Sequence, residues 1–124
     1  MATVLVVEDE FGIVELFDAV LSDEGHRVRT AMNGQQGMRM LAEERPDVMF
    51  LDYMMPVMDG AATLRAMAAD PGLRSVAVVM MSSMPEATVA ERCSGYAAFL
   101  AKPFDVTRII ALVEQLSLGD AIQT

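Results

Sequence analysis

The chain has 124 residues, of which 53% are hydrophobic, which suits one folded domain and argues against a disordered chain. Eighteen Asp and Glu against nine Lys and Arg give a net charge of -9, so direct binding to nucleic acid or to an anionic membrane surface is disfavoured. No apolar run is long enough to cross a bilayer, no basic leader precedes the first strand, and one cysteine permits no internal disulfide. We therefore expect a soluble protein of the cytoplasm.

The chain begins with a strand, a helix and a second strand. The β-branched run Thr3–Val7 predicts a buried strand, and it stops at the acidic residues Glu8 and Asp9. Apolar residues at helical spacing follow and end near Gly25. Residues 26–31 then alternate polar and apolar, which predicts an edge strand that is wetted on one side.

The next helix and strand lead to a single carboxylate. Asn33 and Gly34 predict a turn, and the second helix that follows it stops before Pro46. The apolar run Val48–Asp52 predicts a third strand, which ends on Asp52 alone. Asp52 is therefore placed where a strand passes into a loop.

The fourth strand ends on a hydroxyl residue. Asp59 and Gly60 predict a turn that starts a third helix, and residues 70–72 break this helix. Residues 75–81 are almost entirely apolar, which predicts a central strand, and Ser82 follows it.

The last part of the chain contains a short helix, a short strand and a final helix. Pro85 suits the first turn of a fourth helix that runs towards Gly95. Residues 97–101 predict a fifth strand that stops at Lys102. After the fifth helix, residues 119–124 are expected to form a loose tail, so residues 1–118 make up the domain.

Strands that alternate with helices predict an α/β fold with a parallel sheet covered by helices on both faces. The carboxyl ends of parallel strands share one edge. Glu8, Asp9, Asp52, Ser82 and Lys102 all follow or end strands, so we expect them to meet there. Each has a plainer interpretation as well: Glu8, Asp9 and Ser82 could cap helices, Asp52 could be only a turn residue, and Lys102 could be solvated.

Three carboxylates close together repel one another unless a cation lies between them, and Mg²⁺ is the hard ion that suits them. Asp52, which stands alone, is then the candidate nucleophile towards phosphorus, and Glu8 and Asp9 are suited to holding the ion. Lys102 could neutralise charge on the phosphoryl group, and the Ser82 hydroxyl could donate a hydrogen bond to it.

The residues lie in four motifs, in this order: Val-Val-Glu8-Asp9-Glu, Leu-Asp52-Tyr-Met-Met-Pro-Val-Met-Asp-Gly, Met-Met-Ser82-Ser83 and Ala-Lys102-Pro103-Phe104. Over essentially its whole length the chain resembles the response regulator receiver domain of bacterial two-component signalling, either a single-domain, chemotaxis-regulator-like protein or a receiver isolated from a larger regulator. The resemblance implies a flavodoxin-like sheet of five parallel strands in the order 2-1-3-4-5 with five helices.

The resemblance also implies a function. Asp52 would accept a phosphoryl group from a histidine kinase or a histidine phosphotransfer protein. Glu8, Asp9, Asp52 and the Met54 backbone carbonyl would hold Mg²⁺, or Mn²⁺ in its place. Ser82 would move towards the phosphoryl group as the switch residue Phe99 turns inward. The surface of helix 4, strand 5 and helix 5 would then bind an output protein or domain that the sequence does not identify, or a second copy of the chain.

Several positions depart from the commonest family pattern. Ser82 replaces threonine, and Phe99 lacks the hydroxyl of the frequent tyrosine. Met54 and Met84 occupy the two positions that flank the site, and their apolar side chains cannot orient an attacking water. Our hypothesis is that they slow hydrolysis of the acyl phosphate. The segment from Ser82 to Phe99 is also short, which leaves the length and order of the fourth helix open.

Two other functions compete with a phosphorylation switch. A Mg²⁺-dependent phosphohydrolase with an aspartyl-phosphate intermediate would be expected to carry a second acid where this chain has Met54. A pseudo-receiver that binds partners without phosphate would need an incomplete site. The sequence favours the switch, which catalyses only its own phosphorylation and dephosphorylation and is not an enzyme acting on another substrate.

Overall fold

A computed structural model describes residues 1–117, which form five strands and five helices in alternation. The expected tail, residues 119–124, lies outside the described residues. In chain order the elements are β1 Thr3–Val7, α1 Phe11–Asp23, β2 Arg27–Ala31, α2 Gly34–Glu43, β3 Val48–Asp52, α3 Gly60–Ala68, β4 Ala77–Ser82, α4 Glu86–Ala90, β5 Ala98–Ala101 and α5 Val106–Ser117.

The strands form one parallel sheet in the order β2-β1-β3-β4-β5, which confirms the predicted α/β fold. β3 lies at the centre and every residue of it is buried, whereas β2 lies at an edge and is partly exposed, as its alternating pattern predicts. All the strands therefore point their carboxyl ends towards the same edge of the sheet.

Helices cover both faces of the sheet and create two hydrophobic clusters. On one face, Phe17 of α1 and Ile109 of α5 are fully buried. The Phe17 ring packs edge-on against the rings of Phe50 and Phe104, with centroids 4.9 and 5.2 Å away. On the other face, α2, α3 and α4 bury Leu41, Leu64 and Val89 against the sheet. Within residues 1–117 we find no helix with the length and apolar character needed to span a membrane.

Three predictions of local structure need correction. The turn predicted at Asn33 and Gly34 is the start of α2 itself: Gly34 is its first residue, and the Asn33 side chain caps it by accepting a hydrogen bond from the Gln36 N–H at 2.9 Å. β4 begins at Ala77 and not at residue 75, because the Val76 N–H is bonded to the Leu73 carbonyl in the preceding turn.

The third correction concerns α4, which was expected to run towards Gly95. It begins after Pro85 and ends at Ala90, so it has little more than one turn. Val89 is its only buried residue, so little packing supports further turns of helix. The chain between α4 and β5 therefore runs without regular structure.

Candidate functional site

The sheet brings the predicted residues to one edge. Asp52 and Ser82 are the last residues of β3 and β4, while Glu8 and Lys102 directly follow β1 and β5. Glu8, Ser82 and Asp52 are 1%, 3% and 4% exposed, so polar groups that usually face solvent are buried here. Burying these groups is compatible with folding only if each has a hydrogen-bonding or oppositely charged partner.

Lys102 is the partner of two of these carboxylates. Its Nζ lies 2.8 Å from Glu8 Oε1 and 2.9 Å from Asp52 Oδ1. Lys102 is therefore not a solvated charge, and Glu8 is not a helix cap. The peptide bond between Lys102 and Pro103 is cis.

Asp9 completes an acidic group at the opening of the site. Its side chain is exposed, and its backbone N–H donates a hydrogen bond to Glu8 Oε2 at 3.0 Å. Glu8, Asp9 and Asp52 each offer a carboxylate oxygen, and these oxygens lie within 4.8 Å of one another. A cavity of about 200 Å³ adjoins all three acids, Met54, Ser82 and Lys102. Hard oxygen donors at this spacing fit a divalent cation such as Mg²⁺.

The charges in the site perturb one another. Burial raises the pKa of Glu8 to about 7, although the hydrogen bond from Lys102 acts in the opposite direction. Burial also raises the pKa of Asp52, again against the effect of Lys102. For Lys102, burial lowers the pKa, but its hydrogen bonds to Glu8 and Asp52, together with the negative charges of these carboxylates, outweigh burial, and the net shift is upward. Lys102 therefore stays protonated, and its one positive charge is shared between the carboxylates of Glu8 and Asp52.

The Ser82 hydroxyl is held in place but keeps its proton available. Its Oγ accepts a hydrogen bond from the Met84 N–H at 2.9 Å, and it caps no helix because α4 begins after Pro85. The hydroxyl hydrogen can still be donated to a ligand. Phe99 is half-buried on β5, and its ring centroid lies 6.5 Å from that of Tyr96.

The β3–α3 loop forms one wall of the cavity. Met54 lines this wall and is 67% exposed, whereas Met84 is partly buried against the core. Asp59 caps α3 by accepting a hydrogen bond from the Ala62 N–H at 2.8 Å, as its turn signal predicts. Glu10 and Ser83 also line the cavity. The prediction of site residues missed these two, although their positions next to Asp9 and Ser82 are a signal that could have found them.

Val57, in the same loop, has φ of +70° and is 77% exposed. A β-branched residue in the left-handed region is strained by about 1 to 3 kcal/mol, and little packing offsets this strain here.

We expect Val57→Asn to stabilise the protein by about 1 kcal/mol in urea unfolding, because asparagine tolerates this conformation. Val106→Asn, at another exposed valine, is the control and should give no gain. An equal gain in both variants would contradict strain as the cause.

Comparison with known proteins decides the family. The family model for the response regulator receiver domain matches residues 4–114. The chain belongs to this family. Receiver domains are signalling switches rather than enzymes that act on an external substrate.

Two relatives of known function match this chain over very different fractions of their own lengths. The response regulator PleD of Caulobacter vibrioides is 36% identical over 118 residues, which are 94% of this chain but 26% of PleD. Sporulation initiation phosphotransferase F of Bacillus subtilis is 34% identical over 109 residues, or 86% of each chain. Other relatives include the DNA-binding transcriptional regulator RpaA of Synechocystis, which is 27% identical and is covered over 49% of its length. The expected absence of nucleic-acid binding therefore stays a prediction.

Solved receiver domains share the fold closely. The signal receiver domain of a signal transduction histidine kinase from Syntrophus aciditrophicus has a TM-score of 0.87 and 30% identity, with 96% of this chain and 92% of that chain covered. The receiver domain of a sensor histidine kinase from Pseudomonas aeruginosa, solved with a magnesium ion coordinated in its active site cleft, also has a TM-score of 0.87. It is 26% identical, and the match covers 94% of this chain and 97% of that chain.

Proposed function

We propose that this receiver domain is a phosphorylation-activated switch of the cytoplasm in which Asp52 accepts a phosphoryl group from a histidine kinase or a histidine phosphotransfer protein. The observation that carries the proposal is the contact of one ammonium, on Lys102, with the carboxylates of Glu8 and Asp52 in a cavity that opens to solvent. This arrangement suits transfer of a dianionic group, because a cation already lies beside the nucleophile.

The transfer is a displacement at phosphorus. An Asp52 carboxylate oxygen attacks the phosphorus of a phosphohistidine, and a P–O bond forms while the P–N bond breaks. The electron pair of the broken bond stays on the imidazole nitrogen, which then takes up a proton. Lys102 stabilises the charge on the phosphoryl oxygens, and Ser82 donates its hydroxyl hydrogen to one of them. The product is an acyl phosphate on Asp52.

Glu8, Asp9, Asp52 and the Met54 carbonyl would hold Mg²⁺, or Mn²⁺, in this site. The ion would supply Lewis-acid neutralisation of phosphoryl charge. The chemistry of the donor set supports this assignment, since three carboxylate oxygens lie within 4.8 Å of one another. The magnesium ion in the Pseudomonas aeruginosa receiver domain supports it as well.

The test is labelling with acetyl phosphate in the presence of Mg²⁺. We expect mass spectrometry to show one phosphoryl group on the wild-type protein and none on Asp52→Asn, whose amide is not a nucleophile. Labelling should disappear when EDTA removes the metal. A label that persists in Asp52→Asn would overturn the assignment of the phosphoacceptor, and absence of any label would favour a pseudo-receiver.

The competing enzyme function is not favoured. Met54 stands where a phosphohydrolase of the expected kind would need a second acid, and its exposed side chain offers no proton. The family match and the complete acidic group likewise give no support to a pseudo-receiver.

Met54 and Met84 are proposed to set the lifetime of the phosphorylated state. Met54 lines the cavity at its solvent side, where an apolar group hinders a water molecule from attacking the acyl phosphate. We expect Met54→Asn to shorten the lifetime about tenfold, because an amide can orient that water. Decay of the label after desalting measures it, with Met54→Leu as the apolar control. An unchanged lifetime in the asparagine variant would contradict the hypothesis.

The output is proposed to pass through the face of α4, β5 and α5, where Ser82 and Phe99 would couple phosphorylation to the surface. An output protein, an output domain or a second copy of the chain would bind the altered face. The relatives that are longer than this chain support an output domain, since the match covers about a quarter of PleD. The domain boundary at residue 118 stays a prediction.

A further inference from the structure

A hydrogen bond joins α4 to the loop that precedes β5. The Tyr96 hydroxyl donates to Glu86 Oε2 at 3.1 Å, and Glu86 is the first residue of α4. Burial, and after it this bond, raises the pKa of Tyr96, so the phenol keeps the proton that it donates. Since α4 has little more than one turn and buries only Val89, the bond adds a second attachment for this helix. It is here called the α4 tether.

The ring of Tyr96 also packs beside the ring of Phe99. The two centroids lie 6.5 Å apart and the ring planes are inclined by 52°, which is within the range in which aromatic rings attract each other. Phe99 has no hydroxyl, so its own side chain cannot bond to α4. Tyr96 therefore connects the two, because its hydroxyl reaches α4 and its ring reaches Phe99.

The segment before α4 connects the tether to Ser82. The Ser82 Oγ accepts a hydrogen bond from the Met84 N–H, and only Pro85 stands between Met84 and Glu86. The proline ring fixes its own φ, which is -58° here, so a displacement of Met84 is absorbed less before it reaches Glu86. A continuous path therefore leads from Ser82 to Tyr96.

We propose that the α4 tether holds the helix and Phe99 in the arrangement described above, and that it opens when Asp52 is phosphorylated. The inference rests on the proposed function, in which Ser82 moves towards the phosphoryl group and Phe99 turns inward. The first motion pulls on the segment that leads to α4, and the second removes the ring beside which Tyr96 packs. Tyr96 does not line the phosphoacceptor cavity, so it is a positioning residue and not a catalytic one.

Thermodynamic linkage makes the inference measurable. If a group bound at Asp52 weakens the tether, loss of the tether must strengthen binding of that group by the same factor. The probe is beryllium fluoride with Mg²⁺, which binds a carboxylate reversibly in the place of a phosphoryl group. The chain has two tyrosines, so labelling with 3-fluorotyrosine gives two ¹⁹F signals, and Tyr96→Phe assigns them. Titration of the whole chain, followed by ¹⁹F NMR, gives the affinity.

We expect Tyr96→Phe and Glu86→Ala each to bind beryllium fluoride about threefold more tightly than the wild type, because an exposed hydrogen bond to a carboxylate contributes modestly. The double variant should bind no more tightly than either single variant, since both substitutions remove the same bond. Tyr96→Phe keeps the ring and changes no charge. The matched control is Glu91→Ala, which removes an exposed acid at the other end of α4 and should leave the affinity unchanged.

The ¹⁹F signal of Tyr96 reports the tether itself. Glu86→Ala removes the acceptor, so its Tyr96 signal marks the open tether. In the wild type, beryllium fluoride should move the Tyr96 signal towards that position. In Glu86→Ala the same addition should move it much less.

An affinity that stays the same or falls in Tyr96→Phe and Glu86→Ala would overturn the inference. An equal gain in Glu91→Ala would overturn it as well, because loss of a negative charge would then be the cause, and so would gains that add in the double variant. Failure of the proposed function gives a different result and overturns the inference with it. The wild type would then neither take a label from acetyl phosphate nor bind beryllium fluoride, while its Tyr96 signal would still differ from that of Glu86→Ala.

Discussion

Lys102→Met lowers the free energy of unfolding by about 3 kcal/mol in metal-free buffer, because it leaves two buried carboxylates without their cation. The Lys102 side chain is only 21% exposed, so solvent screens these contacts weakly. Urea unfolding followed by circular dichroism measures the loss. Mg²⁺ should restore part of the stability, since an ion that binds only the folded state stabilises it.

Two further variants test the cause of this effect. Lys102→Met combined with Glu8→Gln should recover about half of the loss, because one of the two unbalanced charges is then removed. Arg39→Met removes an exposed base of α2 that forms no ion pair within residues 1–117, and it should change stability by less than about 0.5 kcal/mol. Equal losses in Lys102→Met and Arg39→Met would show that net charge, and not the site, is responsible.

Gly60→Ala is expected to destabilise the protein by about 3 kcal/mol and to reduce labelling of Asp52. A methyl group at this position would lie 2.6 Å from the Asp52 carbonyl oxygen and 2.8 Å from the Tyr53 Cα. These are backbone atoms, so the end of β3 would have to move. The shift would displace the Asp52 carboxylate from Lys102 Nζ.

Gly12→Ala is the matched control for this substitution. Gly12 lies in α1, and apart from its chain neighbours and the adjoining backbone of α1, no atom lies within 4 Å of an added Cβ. Because alanine favours helix over glycine, this variant should gain about 0.5 kcal/mol and keep its label. Urea unfolding and acetyl phosphate labelling of both variants give the comparison. A stable Gly60→Ala protein with normal labelling would contradict the steric argument.

Much of the site could be predicted from the sequence, because its residues lie at the carboxyl ends of the predicted strands. Asp52 and Lys102 could be placed at one edge because the carboxyl ends of parallel strands coincide, whatever the loops do. The sequence did not show that Lys102 contacts Glu8 as well as Asp52, since this contact depends on how three strands align. The sequence also left open whether Glu8, Asp9 and Ser82 cap helices, and only the side-chain geometry answered this question.

Features that depend on packing between distant segments were harder to predict. Pro85 and Gly95 suggested the limits of α4, but the helix stops at Ala90 because its residues bury little surface. Val57 carries no turn signal, so its left-handed conformation was not foreseen.

The bond between Lys102 Nζ and Glu8 Oε1 joins residues that are 94 positions apart. During synthesis Glu8, Asp9 and Asp52 leave the ribosome long before Lys102, whose ammonium pairs with Glu8 and Asp52. A nascent or truncated chain that ends before Lys102 therefore has Asp52, the proposed phosphoacceptor, without its charge partner. We therefore expect a chain to become able to accept a phosphoryl group only once β5 has joined the sheet. Incomplete chains would then not be phosphorylated and would not signal.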